Sequence, residues 1–309
     1  MSHELPISVL TPSFNQAAFI RQTIESVREQ DVEKVEHIVI DGGSTDGTVD
    51  ILAQYPHLRW VSEPDRGQAD ALNKGLAMAS GHIIVWINSD DLLAPGALAA
   101  AREFFQAHPD AHILCGNEIV IDAEGRLVRR APPKTTRRTL TRPWHGQTGV
   151  FQPGMIFRRT VPETVGPFDP DLVFAMDYDF FLRASERFAI HPIRRDLGCF
   201  RVHGGTKTGE EFAPAFDEVA AVLLRHLRRT RPGRRPWWAR LRLRLHRPAV
   251  LVGDALKAYE AGRPDRARRL LLHACLRNPF SLLAYGHFCY RLRQLVGPRF
   301  YERLRRRQP

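Results

Sequence analysis

The sequence predicts an α/β fold, a mostly parallel sheet with helices on both faces, followed by a small C-terminal α-helical extension. Three observations predict it. Four apolar runs are each followed by a stretch with helical spacing, and polar residues gather where those runs end. The 309-residue chain, 43% apolar and 9% aromatic, also has enough material for a substantial core. Alternating strand and helix builds a parallel sheet, and ligands bind such sheets outside the carboxyl ends of the strands.

The elements follow in order. "PISVLTP" is the first strand and leads into "NQAAFIRQTIESVREQ", where Ile20, Ile24 and Val27 recur at helical spacing and Asn15 is the expected N-cap. "VEHIVID" is the second strand and "GGSTDGTVDILAQY" its helix, with Ser44, Thr45 and Asp46 as cap candidates. "LRWVSEP" leads into "DRGQADALNKGLAMASG", and "HIIVWINSDD" into "PGALAAAREFFQAH", whose proline suits a first turn. From about residue 111 the pattern is strand-like and irregular, then loop-like, then helical again at "DYDFFLRASERF". Near residue 230 the composition changes to "RRTRPGRRPWWARLRLRLHRP", so the main domain is expected over 1–228, and a basic linker with a helical region over 229–309.

Composition excludes several classes. No window approaches the ~18 consecutive apolar residues of a membrane span, and the first ten residues lack a basic-then-apolar export pattern, so a cytoplasmic protein is expected. Cys115, Cys199, Cys275 and Cys289 are far apart with no CxxC pair, which argues for reduced thiols and against a zinc knuckle. The net charge of +11 is unevenly spread. From Arg225 onward there are 23 Lys plus Arg against 4 Asp plus Glu, a net of +19, which leaves −8 for residues 1–224.

Polar residues converge at the strand ends: Thr11 and Pro12 close the first, Asp41 the second, Glu63 and Asp65 follow the third, and Asp90 and Asp91 close the fourth. Asp, Ser and Thr are ordinary turn formers, and that accounts for Asp46. It does not account for "VWINSDDLL", where adjacent carboxylates end an apolar strand and each loses hydration unless something positive compensates. Oxygen ligands at an accessible strand end suit a hard cation such as Mg2+ or Mn2+, so a metal ion is the expected positive partner.

Six motifs, "TPSFNQ", "DGGSTDGT", "EPDRGQADALNKG", "NSDD", "MDYDFFLR" and "RVHGGTKT", together resemble the family 2 glycosyltransferases in order and approximate spacing over residues 7 to about 210. The resemblance implies the GT-A nucleotide-sugar-binding fold, a divalent metal, and a single displacement that inverts the anomeric carbon. It implies that Asp91 ligates the metal on the diphosphate while Asp90 faces the ribose or the donor sugar. Asp41 would bind the uracil, with Thr11 and Pro12 lining the same pocket, and Arg66, Gln68 and Asp70 would lie near the nucleotide. Asp177 would be the base that receives the acceptor's proton. His203 would touch metal or phosphate, with Lys207 in the same Gly-rich loop. The residues themselves leave alternatives: Asp70 stands four before Lys74, and Asp179 four before Arg183, the spacing of helix-surface ion pairs. Met176 departs from the family pattern, in which many members carry Glu, and leaves the acceptor geometry open.

The expected activity is therefore transfer of a hexosyl group from a nucleotide-sugar, a UDP-sugar first, to a glycan or lipid-linked acceptor in cell-surface polysaccharide or lipid-linked glycan synthesis. The rival is an inactive module of the same fold that binds membrane or nucleic acid through its tail, since fold alone does not fix function. Residues 231–248 join Arg to Trp237 and Trp238, which suits an anionic membrane surface better than nucleic acid. "YEAGRPDRARRLLLHACLRNP" reads as half of a tetratricopeptide-type helical pair.

Overall fold

A computed structural model of the chain describes residues 5–142, 150–204, 213–230 and 236–277. Lys207 and the first residues of the basic segment, 231–235, lie outside them, as does Cys289; Cys115, Cys199 and Cys275 are free thiols. The described residues fall into two units, one of 5–142 and 150–203, the other of 204, 213–230 and 236–277.

The first unit realises the four strand–helix repeats. β1 (Ile7–Ser13), β2 (Val35–Asp41), β3 (Arg59–Ser62) and β4 (Ile83–Trp86) are separated by α1 (Ile20–Arg28), α2 (Thr48–Leu52) and α3 (Gln68–Met78). A short β5 (Leu92–Leu93) precedes α4 (Ala97–Ala107). β6 (Ile113–Cys115), β7 (Glu118–Ile121), β8 (Leu127–Ala131), α5 (Arg137–Leu140), β9 (Met155–Arg158), α6 (Thr160–Val165), α7 (Met176–Ala184), β10 (Ile190–Pro192) and β11 (Gly198–Arg201) complete it.

Seven strands form one sheet in the order β10-β6-β9-β4-β1-β2-β3, parallel except for β9, which is antiparallel to both neighbours. β1 is buried at every position, as its central place in a two-faced sheet requires. Ile7, Val9, Ile83 and Val85 share a core with Leu98, Ala101 and Phe105 of α4, while Ile20 and Ile24 of α1 pack with Val39, Leu52 and Tyr55. The irregular stretch after residue 111 adds β6 to this sheet and gives β7 and β8 to a second, four-stranded sheet in the order β5-β11-β7-β8. β11 runs antiparallel to β5 and parallel to β7, which carries Arg201 and His203 to the turn that follows β4.

Two expected helix starts differ from the structure. α1 begins only at Ile20 with no side-chain cap, because Asn15 sits in the left-handed region at φ 52 and its Oδ1 accepts from the Thr45 N–H at 2.9 Å. A side chain committed to the neighbouring loop is not available to cap its own helix. Pro95 stays outside α4, which starts after Gly96 at φ 73. Asp46 does act at its helix start, accepting from the Thr48 N–H at 3.0 Å and the Thr48 hydroxyl at 2.6 Å.

The second unit is helical: α8 (Ala213–Thr230), α9 (Trp237–Glu260) and α10 (Pro264–Arg277). Leu251, Val252, Ala255 and Ala258 of α9 pack with Ala267, Leu271 and Ala274 of α10, the two helices turning at Gly262 with φ 71. Arg247 makes a two-pronged ion pair with Asp217, both bonds 2.6 Å. The boundary expected at 228/229 falls at the end of α8, later in the chain than the division between the two units. Among the described residues no helix is long and apolar enough to cross a membrane.

Gly198 opens the strand that ends at Arg201, and a Cβ there would lie 2.1 Å from the Pro153 carbonyl oxygen. Gly198→Ala is expected to lower stability by about 1–3 kcal/mol, because backbone must move to admit the methyl. Denaturant unfolding reads this directly; an unchanged midpoint would mean that the two backbones do not meet.

Candidate active site

The ends of β1, β2 and β3 form one part of the site. Thr11 is buried, and its hydroxyl lies 2.9 Å from Nε2 of His37. Burial, and then the charge of His57, push the His37 imidazole down to about 3, so the ring is neutral at working pH. Asp41 is fully buried: Oδ2 accepts from the N–H groups of Gly43 (3.1 Å) and Ser44 (2.8 Å) and from the Ser62 hydroxyl (2.7 Å), while Oδ1 accepts from the Ser44 hydroxyl. This carboxylate shapes the loop after β2. Pro12 is buried beside it on β1.

Phe14, not singled out from the sequence, and Asp65, expected at the end of the third strand, flank this region. Phe14 is 60% exposed directly after β1, and the Asn15 backbone N–H, donating to the Ser44 hydroxyl at 2.7 Å, stitches that loop to the loop after β2. Asp65 lies so close over Gly42 that a Cβ there would stand 2.8 Å from its Oδ2. The signal for Phe14 was in the sequence, as a large aromatic in an otherwise polar loop. On the next loop Asp70 is ion-paired, but to Arg66 (3.3 Å) in place of Lys74, which pairs with Glu63 at 2.7 Å.

The end of β4 forms the second part. Asp91 is fully buried; its Oδ1 accepts from the Arg201 backbone N–H at 2.8 Å and its Oδ2 from the Asn88 amide at 3.1 Å. Burial, and then the charge of Asp90, raise its carboxyl well above the usual carboxylate range, opposed by those two hydrogen bonds and by the Arg201 charge. Arg201 is itself fully buried and saturated: Nε donates to the Asp90 carbonyl (2.7 Å), Nη1 to the Ala123 carbonyl (2.7 Å) and Nη2 to Oε1 of Gln22 (2.8 Å). Its guanidinium also lies 5.2 Å from the centre of the Phe19 ring. Arg201 thus reaches Asp91 through its backbone N–H, while its guanidinium acts on that carboxyl only as a nearby charge.

Asn88 keys the rest of the turn. Its Oδ1 accepts from Gln68 (2.7 Å) and the Trp86 indole (2.8 Å), and its amide nitrogen donates to Asp91 and to Gln152 (3.1 Å). Thr23 of α1 donates to the carbonyls of both Ser89 and Asp91. With Asp91 held inside, Asp90 points the other way: its Oδ2 is 3.1 Å from Nε2 of His203, the side chains being 18% and 10% exposed. The His203 ring packs 4.3 Å from that of Phe19. Among the described residues no group of three or more His, Cys, Asp or Glu side chains converges to hold a metal ion.

Asp177 is half-buried near the start of α7, its Oδ1 accepting from the Tyr178 N–H at 2.6 Å. Asp179 makes the local pair with Arg183 at 2.7 Å that its spacing implies, and Arg183 also holds the Val165 and Pro167 carbonyls. Met176 is a core residue. Phe168 stacks on Phe180 of α7 at 4.3 Å and meets the Trp86 ring at 5.2 Å, so an aromatic chain ties the helix bearing Asp177 to the strand end bearing Asn88.

The model of glycosyl transferase family 2 matches residues 8–165. An uncharacterized glycosyltransferase of Mycobacterium tuberculosis is 34% identical over 183 residues, covering 58% of this chain and 68% of that protein. Chondroitin synthase of Escherichia coli is 27% identical over 186 residues, 58% of this chain but 26% of the synthase. In fold, the chain is similar to S. aureus TarS 1-349 in complex with UDP-GlcNAc, with TM-score 0.56 and 19% identity, covering 90% and 89% of the two chains. It is also similar to the mannosyltransferase PcManGT from Pyrobaculum calidifontis in complex with GDP-Man and Mn2+, with TM-score 0.57 and 23% identity, covering 93% and 83%.

Removing the guanidinium tests the buried electrostatics. Arg201→Met is expected to lower stability by about 1–3 kcal/mol, because it leaves the Asp90 and Ala123 carbonyls and Gln22 without their buried donor, and Arg201→Met with Asp91→Asn separates any contribution of charge from that loss. Chemical unfolding of the three proteins gives the answer; a loss under about 1 kcal/mol for the single variant would mean that the turn does not depend on the guanidinium as a buried donor.

Proposed function

The chain belongs to glycosyl transferase family 2, and from that premise we propose that it moves a hexosyl group from a nucleotide-diphosphate sugar, a UDP-sugar first, to a hydroxyl acceptor with inversion. The observation that carries the reading is the division of labour between Asp90 and Asp91. The buried Asp91 has both oxygens engaged, whereas Asp90 and His203 present an oxygen and a nitrogen together at a partly open edge. A carboxylate and an imidazole in reach of each other fit Mg2+ or Mn2+, which keep most positions for phosphate and water. In this proposal Asp90 takes the ligand role first expected of Asp91, His203 keeps its own, and Asp91 serves the turn. A divalent cation, if held by that pair, would supply counter-charge to a departing diphosphate.

The chain's own residues do the rest. Phe14 offers a face on which a nucleobase can stack, and Asp65 offers a carboxylate beside Gly42 for the imide N–H of a uracil. Asp41, with its oxygens occupied, acts by shaping that pocket with Thr11, Pro12 and His37. Arg66, Gln68 and Asp70 stand on the loop and helix start that would border the nucleotide. As the acceptor oxygen bonds to the anomeric carbon and the bond from that carbon to the diphosphate breaks, the hydroxyl proton passes to Asp177. TarS bound to UDP-GlcNAc and PcManGT bound to GDP-Man and Mn2+ support a nucleotide-sugar donor and a divalent ion. A glycan acceptor is supported by likeness to a chondroitin synthase, of which the chain spans about a quarter.

Calorimetry of UDP with and without Mn2+, together with UDP release from a panel of UDP-sugars, tests these roles. Asp90→Asn is expected to abolish the Mn2+-dependent part of UDP binding. Asp177→Asn is expected to keep that binding and lose about 100- to 10,000-fold in UDP release, the usual effect of removing a general base. Metal-independent UDP binding by the wild type, or near wild-type release by Asp177→Asn, would reject the corresponding role.

A further inference from the structure

The first turns of α9 carry apolar residues on two opposite sides. Ala239 and Leu243 are buried. Trp237, Leu241 and Leu245 are 69%, 49% and 51% exposed, and their spacing of four places them in one row along the helix. At about 100° per residue, Leu241 lies roughly 160° around the axis from both Ala239 and Leu243, so the row points away from the buried side. Exposed Arg240 and Arg244 border it on one flank and exposed Arg242 on the other. The leucine and arginine alternation in "RLRLRL" thus separates into a row and its borders once wound into a helix.

Single exposed apolar residues need no explanation, but a contiguous row does. We propose that this row is a docking surface for an anionic lipid bilayer, with Trp237, Leu241 and Leu245 entering the headgroup boundary and Arg240, Arg242 and Arg244 meeting lipid phosphates. Amphipathic helices lie in membrane interfaces by this combination of an apolar face and arginine flanks, and Trp is favoured at that depth. Charge complementarity selects the occupant. The net +19 from Arg225 onward is attracted to an anionic surface, whereas a second copy of the chain would bring the same arginines face to face. Nucleic acid would use the arginines and leave the Trp–Leu row in water. The proposal does not depend on which sugar is moved.

The test uses the full chain with phosphatidylglycerol-containing vesicles and pure phosphatidylcholine vesicles. Wild type is expected to co-sediment with the anionic vesicles and less as salt rises, and brominated acyl chains are expected to quench fluorescence that Trp237→Phe removes. Arg240→Ala with Arg244→Ala should weaken binding by roughly fivefold per arginine at low salt. Trp237→Ser with Leu241→Ser and Leu245→Ser should weaken it by at least tenfold with an unchanged thermal midpoint. Undiminished vesicle binding by both multiple variants overturns the proposal. So does a wild-type dimer that the serine variant dissociates, or retention of wild type on DNA in preference to vesicles.

Discussion

A carboxylate removed from water at the end of β4 is the constraint around which the site is arranged. Asp91 is tolerable there because the Arg201 backbone N–H and the Asn88 amide bond its two oxygens, and because the Arg201 guanidinium supplies buried positive charge. That guanidinium is itself tolerable because each of its nitrogens has an acceptor: the Asp90 carbonyl, the Ala123 carbonyl and Gln22. Four segments remote in sequence are therefore locked at one point: α1, the turn after β4, the connection between β7 and β8, and the end of β11. Turning Asp91 inward leaves its neighbour Asp90 to face His203, so the geometry at the accessible edge is set by the electrostatics behind it.

Much of the first unit was legible because it is local. Each strand and its following helix announce themselves within about thirty residues by a change of period, and the Asp179–Arg183 pair is one helical turn of spacing made real. The adjacent carboxylates raised the right question and drew an incomplete answer. What the local sequence hid was the Arg201 backbone bond to Asp91, which comes through the pairing of β11 with β5 and β7. The same reason hides Gln152, whose contact with Asn88 needs β9 inserted beside β4. Asn15 was misassigned as a cap because its competing partner, the Thr45 N–H, lies in the next loop.

In the helical unit the sequence carried composition better than arrangement. Basic and Trp-rich content was plain, but alternation of leucine with arginine looks strand-like until helical winding sorts the residues by angle. The turn at Gly262 and the small-residue contact of Ala255, Ala267 and Ala274 follow the helical-pair reading closely, since both are short-range features.

The central claim is that burial of Asp91 against Arg201 frees Asp90, with His203, to serve the donor's diphosphate. A crystal structure of the protein with UDP and Mn2+, with the ion identified by its anomalous signal, tests it most directly. The account predicts Mn2+ bonded to a carboxylate oxygen of Asp90 and to Nε2 of His203, with Asp91 still accepting from the Arg201 N–H. Mn2+ bonded to Asp91, with Arg201 released from the Asp90 carbonyl, would contradict it.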